Sequence, residues 1–328
     1  MSESTTATPS NPLSLVSDDM RQVDAVIALR LSSSVPLIGD IAHYIISAGG
    51  KRLRPALLLM MAGALNYKGK QHFNLAAVVE FIHTATLLHD DVVDESTMRR
   101  GKPTANESFG NAASVLVGDF LHSRAFQMMV DANSMRVMQI LSEATNIIAE
   151  GEVQQLINTH NIDLDETGYL AVIRSKTAKL FEASARLAAV LAETDQATED
   201  ACAGYGQALG TAFQVIDDAL DYDGEADVMG KNIGDDLREG KVTLPLIIAM
   251  QRANAQDKQM IVEAIESGST PHIDRIVTIV KNTGALDATR AAAAQQAQEA
   301  INCLNRLPQN AHQQALSDLA SQLLLRRV

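Results

Sequence analysis

The sequence Leu87-Leu-His-Asp-Asp-Val-Val-Asp94 is the most informative part of the chain. Its acidic pattern recurs at Val215-Ile-Asp-Asp-Ala-Leu-Asp221. On an α-helix, residues four apart lie on one face, so the first and last aspartates of each copy are expected to face the same way. Each copy follows a largely apolar run, which belongs in a protein core rather than on a surface. The repeat therefore predicts two core helices with acidic ends.

Stacked like charges destabilise a bare helix, so the acidic pattern indicates a bound cation. Mg²⁺ prefers carboxylate oxygen and shares its remaining positions with water and substrate phosphate. A single motif of this kind is often a solvated helix end, but two copies after apolar runs favour a metal site. The candidate metal ligands are Asp90, Asp91, Asp94, Asp217, Asp218 and Asp221.

The composition is that of a helical protein. Of 328 residues, 46% are hydrophobic, only 4% are aromatic, and there is no Trp. Residues 13–328 are expected to form one large all-α domain, after a Ser/Thr/Pro-rich and disordered tail at residues 1–12. The net charge of -13 argues against nucleic-acid binding, which needs a basic surface.

The cysteines and the apolar runs exclude several other classes of protein. Cys202 and Cys303 form no disulfide framework and have no zinc-ligand spacing, so they are expected to be inert thiols. The N-terminal residues lack the features of a targeting peptide, and no apolar run approaches the roughly 20 residues of a membrane span. A cytoplasmic protein without a transmembrane segment is the simplest expectation.

Amphipathic patterns and the positions of Gly and Pro predict the helices. They are expected at 15–31, 37–47, 74–94, 112–130, 135–158, 164–191, 199–221 and 242–253, followed by roughly four more in 258–327. The sequence Glu150-Gly-Glu-Val-Gln-Gln155 is unusual inside a helix, and its polar side chains are as well explained by solvent as by a site.

Three basic segments accompany these helices. Lys51-Arg-Leu-Arg54 follows two glycines, Arg99-Arg-Gly-Lys102 follows the first acidic motif, and the stretch from Gly230 to Lys241 follows the second. Each is explained either as a solvated, charge-neutralising loop or as a clamp for phosphate oxygens. Acids and basic glycine loops together indicate one pocket for Mg²⁺ and polyphosphate.

The absence of nucleotide-binding motifs narrows the reaction. The sequence has neither a P-loop nor a kinase glycine-rich loop, so phosphoryl transfer from a nucleotide is not supported. Loss of a whole diphosphate is more natural, with the metal as Lewis acid for the leaving group. Ionisation at carbon then requires an apolar cavity that keeps water from the cation.

These motifs resemble those of the trans-isoprenyl diphosphate synthases, most closely their long-chain members. The resemblance covers about residues 15–328. It rests on Gly49 to Pro55, the first acidic motif with Arg99-Arg100-Gly101, Gly118-Asp119, Lys176-Thr177, Phe213-Gln214 with the second acidic motif, and Gly230-Lys231 through Lys241.

The resemblance implies an all-α bundle around a deep central cavity, a homodimer, and two or three Mg²⁺ ions in each active site. It implies that an allylic diphosphate, with farnesyl diphosphate as the expected primer, ionises and is attacked by isopentenyl diphosphate. Proton loss completes each cycle, and the all-trans product would supply quinone side chains. Thr177 and Gln214 would place oxygen dipoles near the cation.

The resemblance also assigns phosphate ligands. The allylic diphosphate would meet the six aspartates through Mg²⁺ and would directly meet Arg99, Lys176, Lys231 and Lys241. Isopentenyl diphosphate would bind Lys51, Arg54, His83 and Arg100. Alone, His83 is better explained as a core histidine.

The residues on the helix that precedes Asp90 predict the length of the product. If the chain grows toward the N-terminus of that helix, it meets in turn Thr86 with Ala85, then Ile82, then Val79 with Val78. The absence of an aromatic residue at the first turn predicts a long product, and C40 is favoured over C45 or C50. The end of the tunnel is then set by Phe126, Met128 or Met129, unless these are ordinary core residues.

Three alternatives remain open at this stage. A class I terpene cyclase usually lacks the second aspartate motif and the basic loop, both of which are present here. A non-catalytic subunit of a heteromeric synthase tends to lose acids from one motif. A di-iron bundle needs Glu and His ligands, whereas the acids of these motifs are Asp.

Overall fold

The computed structural model describes residues 11–223, 234–268 and 271–325. It is almost entirely helical, as predicted. The helices are α1 (Ser17–Arg30), α2 (Pro36–Ser47), α3 (Leu53–Ala64), α4 (Gln71–Val93), α5 (Ala105–Phe109), α6 (Asn111–Asp131), α7 (Met135–Ile157), α8 (Glu166–Ile173), α9 (Lys179–Leu191), α10 (Gln196–Asp223), α11 (Asp235–Arg238), α12 (Leu244–Arg252), α13 (Ala255–Ser267), α14 (Ile273–Asn282), α15 (Ala285–Cys303) and α16 (Ala311–Leu323).

Helix starts follow local chemistry. Pro36 occupies the first turn of α2, where its missing N–H costs nothing. Ser134 and Asp165 cap α7 and α8 by accepting backbone N–H bonds. Gly284, at φ 67°, makes the turn between α14 and α15, as its position in the sequence predicts.

Two features differ from the predicted helices. The expected helix 164–191 is interrupted by a π-helical turn at Arg174–Ala178. The basic loop after the first motif forms a short antiparallel hairpin, in which Met98–Arg99 pairs with Lys102–Pro103. The π-helical turn depends on packing that helical periodicity does not report, whereas the hairpin is closed locally by Arg100 and Gly101, both at positive φ.

The N-terminal tail was predicted to reach residue 12, and residues 1–10 of it lie outside the described part of the chain. Its last two residues belong to the folded chain. Asn11 accepts a backbone N–H bond, and Pro12 is buried at the start of a 3-10 helix, Pro12–Val16. The prediction that residues 13–328 form one domain stays a prediction.

The core consists of two apolar clusters that share α10. The first half of α10, from Cys202 to Ala212, packs in a cluster with α1, α3, α4, α6, α7 and α9. The second half, from Val215 to Tyr222, packs with α8 and α11 to α15. The second acidic motif therefore lies on the helix that joins both clusters. Among the described residues, no helix is long and apolar enough to cross a membrane.

Candidate active site

One cavity of about 1520 Å³ receives side chains from both acidic motifs and all three basic segments. From the first motif, Asp90 and Asp94 line it. All three aspartates of the second motif line it as well. Helices that are distant in sequence thus direct their acidic ends into a single space.

The first motif divides into two environments. Asp91 is fully buried and does not line the cavity. Its carboxylate accepts bonds from Arg99 Nε and Nη2 at 2.9 and 2.6 Å. Burial raises the pKa of Asp90, and the nearby Lys176 partly opposes this shift. The roles of Asp91 as metal ligand and of Arg99 as phosphate ligand stay predictions, and in this structure the two side chains bind each other.

The second motif is also divided. Asp218 is only 2% exposed, and its two oxygens accept bonds from Tyr169 at 2.6 Å and from Gln214 at 2.8 Å. Burial and, next, the nearby Asp236 raise the pKa of Asp218, whereas the hydrogen bonds from Tyr169 and Gln214 oppose this shift. Asp217 and Asp221 lie on the cavity wall.

Lys241 connects the third basic segment to the first acidic motif. Its Nζ donates to Asp94 Oδ2 at 2.8 Å and to Glu239 Oε2 at 2.6 Å. Burial alone would lower the pKa of Lys241, but the neighbouring carboxylates raise it. The ammonium group is therefore held in its charged form. Lys231, predicted to act in catalysis and phosphate binding, lies outside the described residues.

The π-helical turn positions Lys176 and Thr177. A Cβ on Gly151 would lie 2.8 Å from the backbone nitrogen of Lys176, and one on Gly210 would lie 2.7 Å from Ala178 Cα. These glycines let α7 and α10 approach the turn from two sides. Thr177 consequently reaches Gln214, and its hydroxyl donates to the amide oxygen at 3.0 Å.

Lys176 is paired with a residue that the sequence interpretation left undecided. Its Nζ donates to Glu152 Oε2 at 2.5 Å. Burial and, next, Asp90 raise the pKa of Glu152 to about 7. Glu152 therefore adds a further carboxyl group to the side of the cavity that holds the first acidic motif.

The loop Lys51 to Arg54 lines the cavity in an unusual conformation. Arg52 has a left-handed backbone, φ 47° and ψ 37°, which is uncommon for a residue with a Cβ. Its guanidinium lies 3.2 Å from Asp24 and 3.4 Å from Glu80. These two ion pairs hold the Arg52 guanidinium, and both Arg52 and Glu80 line the cavity.

Arg54 and His83, which the resemblance assigns to isopentenyl diphosphate, are neighbours. Arg54 Nη1 lies 3.2 Å from His83 Nε2, and Arg54 Cζ lies 4.4 Å above the Phe181 ring. Burial lowers the pKa of Arg54 to about 10, and burial followed by Arg54 itself lowers the pKa of His83 well below 6.5. At neutral pH this pair is a charged guanidinium beside a neutral imidazole. The nearby Lys51 and Arg100 also line the cavity.

The predicted chain-length residues differ in position. Thr86 lines the cavity, whereas Ala85, Ile82, Met128 and Met129 are buried beyond its wall. Phe126 lies on the outer face of α6 with 36% of its surface exposed and packs on His122. Its role as the floor of a tunnel inside this chain is not supported, because its position on the helix turns it away from the core.

Sequence reasoning missed several residues at the cavity. They are Tyr169, Phe181, Asp235, Asp236 and Glu239. Asp235, Asp236 and Glu239 lie in the glycine-bracketed segment after the second motif. The charge of that segment was a signal that could have identified them as residues of the site. Tyr169 and Phe181 carried no such signal, because a lone aromatic residue in a helix is usually a core residue.

Comparison with known proteins agrees with this geometry. The sequence model named Polyprenyl synthetase matches residues 35–282. The octaprenyl diphosphate synthase of Escherichia coli (strain K12) is 50% identical over 307 residues, covering 93% of this chain and 95% of that protein. The all-trans-nonaprenyl-diphosphate synthase (geranyl-diphosphate specific) of Rhodobacter capsulatus is 44% identical, covering 96% of this chain and 97% of that protein.

A solved structure shows the same fold. The polyprenyl synthase from Caulobacter crescentus CB15, complexed with calcium and isoprenyl diphosphate, is 44% identical and superposes with a TM-score of 0.94. The match covers 99% of this chain and 100% of that one. This chain belongs to the polyprenyl synthetase family.

Proposed function

We propose that the protein is a Mg²⁺-dependent trans-polyprenyl diphosphate synthase that adds isopentenyl diphosphate to an allylic diphosphate. One observation supports this most strongly: two acidic helix ends and three cationic segments line a single cavity of about 1520 Å³. Carboxylates that bind a divalent metal, together with cationic side chains that bind phosphate, suit a diphosphate substrate that binds with a divalent metal.

The residues present fit Mg²⁺. In the described part of the chain, no three His, Cys, Asp or Glu side chains already form a ligand cluster for one ion. Mg²⁺ usually takes only one or two protein carboxylates and completes its shell with water and phosphate oxygen. Asp90 and Asp94 on one side and Asp217 and Asp221 on the other would hold the ions, which supply Lewis-acid stabilisation of the departing diphosphate.

The remaining residues of the site divide between two substrates. Lys176 and Lys241 would bind and orient the allylic diphosphate, exchanging their carboxylate partners for phosphate oxygens. Arg54, His83 and Arg100 would bind isopentenyl diphosphate with Lys51. Between the two groups, the Thr177 hydroxyl and the Gln214 amide oxygen present fixed dipoles to positive charge that develops at the reacting carbon.

We propose a long product, with C40 favoured and C45 or C50 as the alternative. The 50% identical relative is an octaprenyl synthase, whereas the 44% identical one is a nonaprenyl synthase. Thr86 is the first side chain that a growing product would meet, and it is small. We propose farnesyl diphosphate as primer. The cytoplasmic location stays a prediction.

We also propose a homodimer that forms through the outer face of α6. Leu116 and Val130 are 66% and 64% exposed, and Phe126 is 36% exposed. Positions 116, 119, 123, 126 and 130 follow one another at alternating steps of three and four residues and so lie along one face of α6, with the polar Asp119 and Ser123 between the apolar residues. A second copy of α6 would cover these apolar side chains.

The decisive experiment is product analysis with purified protein, farnesyl diphosphate, isopentenyl diphosphate and Mg²⁺, beside a metal-free control. A Mg²⁺-dependent series of products that ends near C40 is expected. No elongation would contradict the proposal and would favour a non-catalytic partner subunit. A hydrocarbon released from farnesyl diphosphate alone would favour a cyclase.

A further inference from the structure

A chain of hydrogen bonds runs along the cavity wall through side chains from three elements. The Tyr169 hydroxyl on α8 donates to Asp218 Oδ2 at 2.6 Å. Gln214 Nε2, one turn before Asp218 on α10, donates to Asp218 Oδ1 at 2.8 Å. The Thr177 hydroxyl on the π-helical turn donates to Gln214 Oε1 at 3.0 Å. The chain therefore begins at the buried phenol of Tyr169 and ends at the Thr177 hydroxyl, and all four residues contribute to the cavity lining.

Each bond fixes the orientation of the next group. Tyr169 is 3% exposed, and its phenolic O–H donates to Asp218 Oδ2. With Asp218 accepting, the amide group that faces it must be the NH₂ of Gln214. The amide oxygen then faces Thr177, whose only O–H is used in that bond. The lone pairs of Thr177 Oγ1 remain available toward the cavity.

We infer that Tyr169 is a positioning residue, which orients the oxygen dipoles of Gln214 and Thr177 toward the developing cation through Asp218. This inference rests on the proposed function. Without the phenol, one oxygen of Asp218 loses its donor, and the carboxylate is free to turn away from Gln214. The Gln214 and Thr177 dipoles are then no longer preorganised to stabilise the positive charge of the transition state.

A purely structural role for Tyr169 is the competing explanation, since the ring packs in the second apolar cluster. Tyr205 provides a matched control. It lies on α10, is fully buried, and its hydroxyl donates to the Leu316 carbonyl at 2.8 Å, away from the cavity. Tyr169→Phe and Tyr205→Phe each remove one buried hydroxyl hydrogen bond, but only the first belongs to the chain that reaches the cavity.

Steady-state kinetics of the two variants and the wild type, with farnesyl diphosphate, isopentenyl diphosphate and Mg²⁺, separate the explanations. Tyr169→Phe is expected to lower kcat about tenfold, with KM for isopentenyl diphosphate within about twofold of wild type. It should also release more farnesol for each condensation, because a poorly held cation is captured by water. Tyr205→Phe should keep the wild-type kcat. Equal kcat in Tyr169→Phe and Tyr205→Phe would overturn the inference.

Crystal structures of the ligand-free wild type and Tyr169→Phe give a result that does not depend on activity. The Asp218 carboxylate and the Gln214 amide are expected to rotate in the variant, and the Thr177 to Gln214 bond should be lost. If the hydrogen bonds among Asp218, Gln214 and Thr177 are unchanged in Tyr169→Phe, the inference is overturned, even if the wild-type protein elongates farnesyl diphosphate. An inactive wild type whose bond chain breaks in the variant would instead contradict the proposed function alone.

Discussion

Lys241 Nζ lies 2.8 Å from Asp94 Oδ2, although the two residues are 147 positions apart. The basic segment that follows the second acidic motif therefore also contacts the first acidic motif. Among the described residues, a comparable pair joins Lys176 to Glu152 at 2.5 Å. In both pairs, a cation predicted to bind phosphate is held by a carboxylate at the cavity.

The Lys241 pair predicts a binding defect. Lys241→Met should raise KM for the allylic diphosphate about tenfold, because a charged hydrogen bond contributes about 1.5 kcal/mol or more. Lys281→Met is the control, since Lys281 pairs with Asp223 at 3.2 Å outside the cavity. Initial rates over a range of farnesyl diphosphate concentrations measure the effect. Equal KM values for the two variants would contradict the role of Lys241.

The pKa of Glu152 predicts a pH-dependent stability. Its folded-state pKa of about 7 lies above the 4.5 of an unperturbed glutamate. The folded chain therefore binds more protons than the unfolded chain between these values, and this residue makes the protein less stable as pH rises through that window. Glu152→Gln removes the titration. Its free energy of unfolding relative to wild type should rise by about 1 to 2 kcal/mol between pH 4.5 and pH 8.

Urea unfolding of Glu152→Gln and wild type, without metal or substrate, measures this difference across pH. A difference that stays constant with pH, or that falls, would show that the Lys176 pair keeps Glu152 ionised throughout.

The contact of Arg54 with Phe181 predicts a weaker isopentenyl diphosphate site in Phe181→Leu. Loss of a buried cation–π contact costs about 1 kcal/mol, so KM for isopentenyl diphosphate should rise about fivefold. Phe109→Leu is the control, because Phe109 packs edge-on against Tyr44 and does not line the cavity. KM for farnesyl diphosphate should change little in both variants, and an unchanged KM for isopentenyl diphosphate in Phe181→Leu would refute the assignment.

The position of Thr86 in the cavity lining predicts that this side chain affects the length of the product. Thr86→Phe should give much shorter products, because Thr86 lines the cavity and an aromatic ring would fill the path of the growing chain. Ala85→Phe tests the same turn of α4 from a buried position, where overpacking also costs about 1 to 3 kcal/mol of stability. Chromatography of the dephosphorylated products, with thermal unfolding as a check of the fold, measures both effects. Full-length product from Thr86→Phe would refute the direction of growth.

The outer face of α6 predicts the assembly. Leu116→Glu should convert a dimer to a monomer, because a charge cannot be buried cheaply against the partner's apolar side chains. Leu325→Glu is the control, since Leu325 is also 73% exposed and follows α16, which packs on α3 and α15. Sedimentation equilibrium distinguishes the two states. A monomeric wild type, or a dimer in Leu116→Glu, would exclude this interface.

The sequence by itself determined the helical class, most helix positions and the acidic and basic segments of the cavity. These properties follow from local periodicity, from Gly and Pro, and from charges that have no place in an apolar run. It also indicated that metal and diphosphate bind together, because carboxylates suit Mg²⁺ and guanidinium groups suit phosphate oxygens.

The hydrogen-bond and ion-pair partners of the charged side chains could be identified only from the folded structure. Asp91 and Asp218 belong to the same acidic motifs as Asp90 and Asp217, yet their oxygens are used by Arg99 and by Tyr169 with Gln214. The π-helical turn and the approach of Gly210 to Ala178 likewise depend on how three helices pack. Hydrogen bonds and close contacts between distant segments have no period in the sequence, so they appear only when the chain is folded.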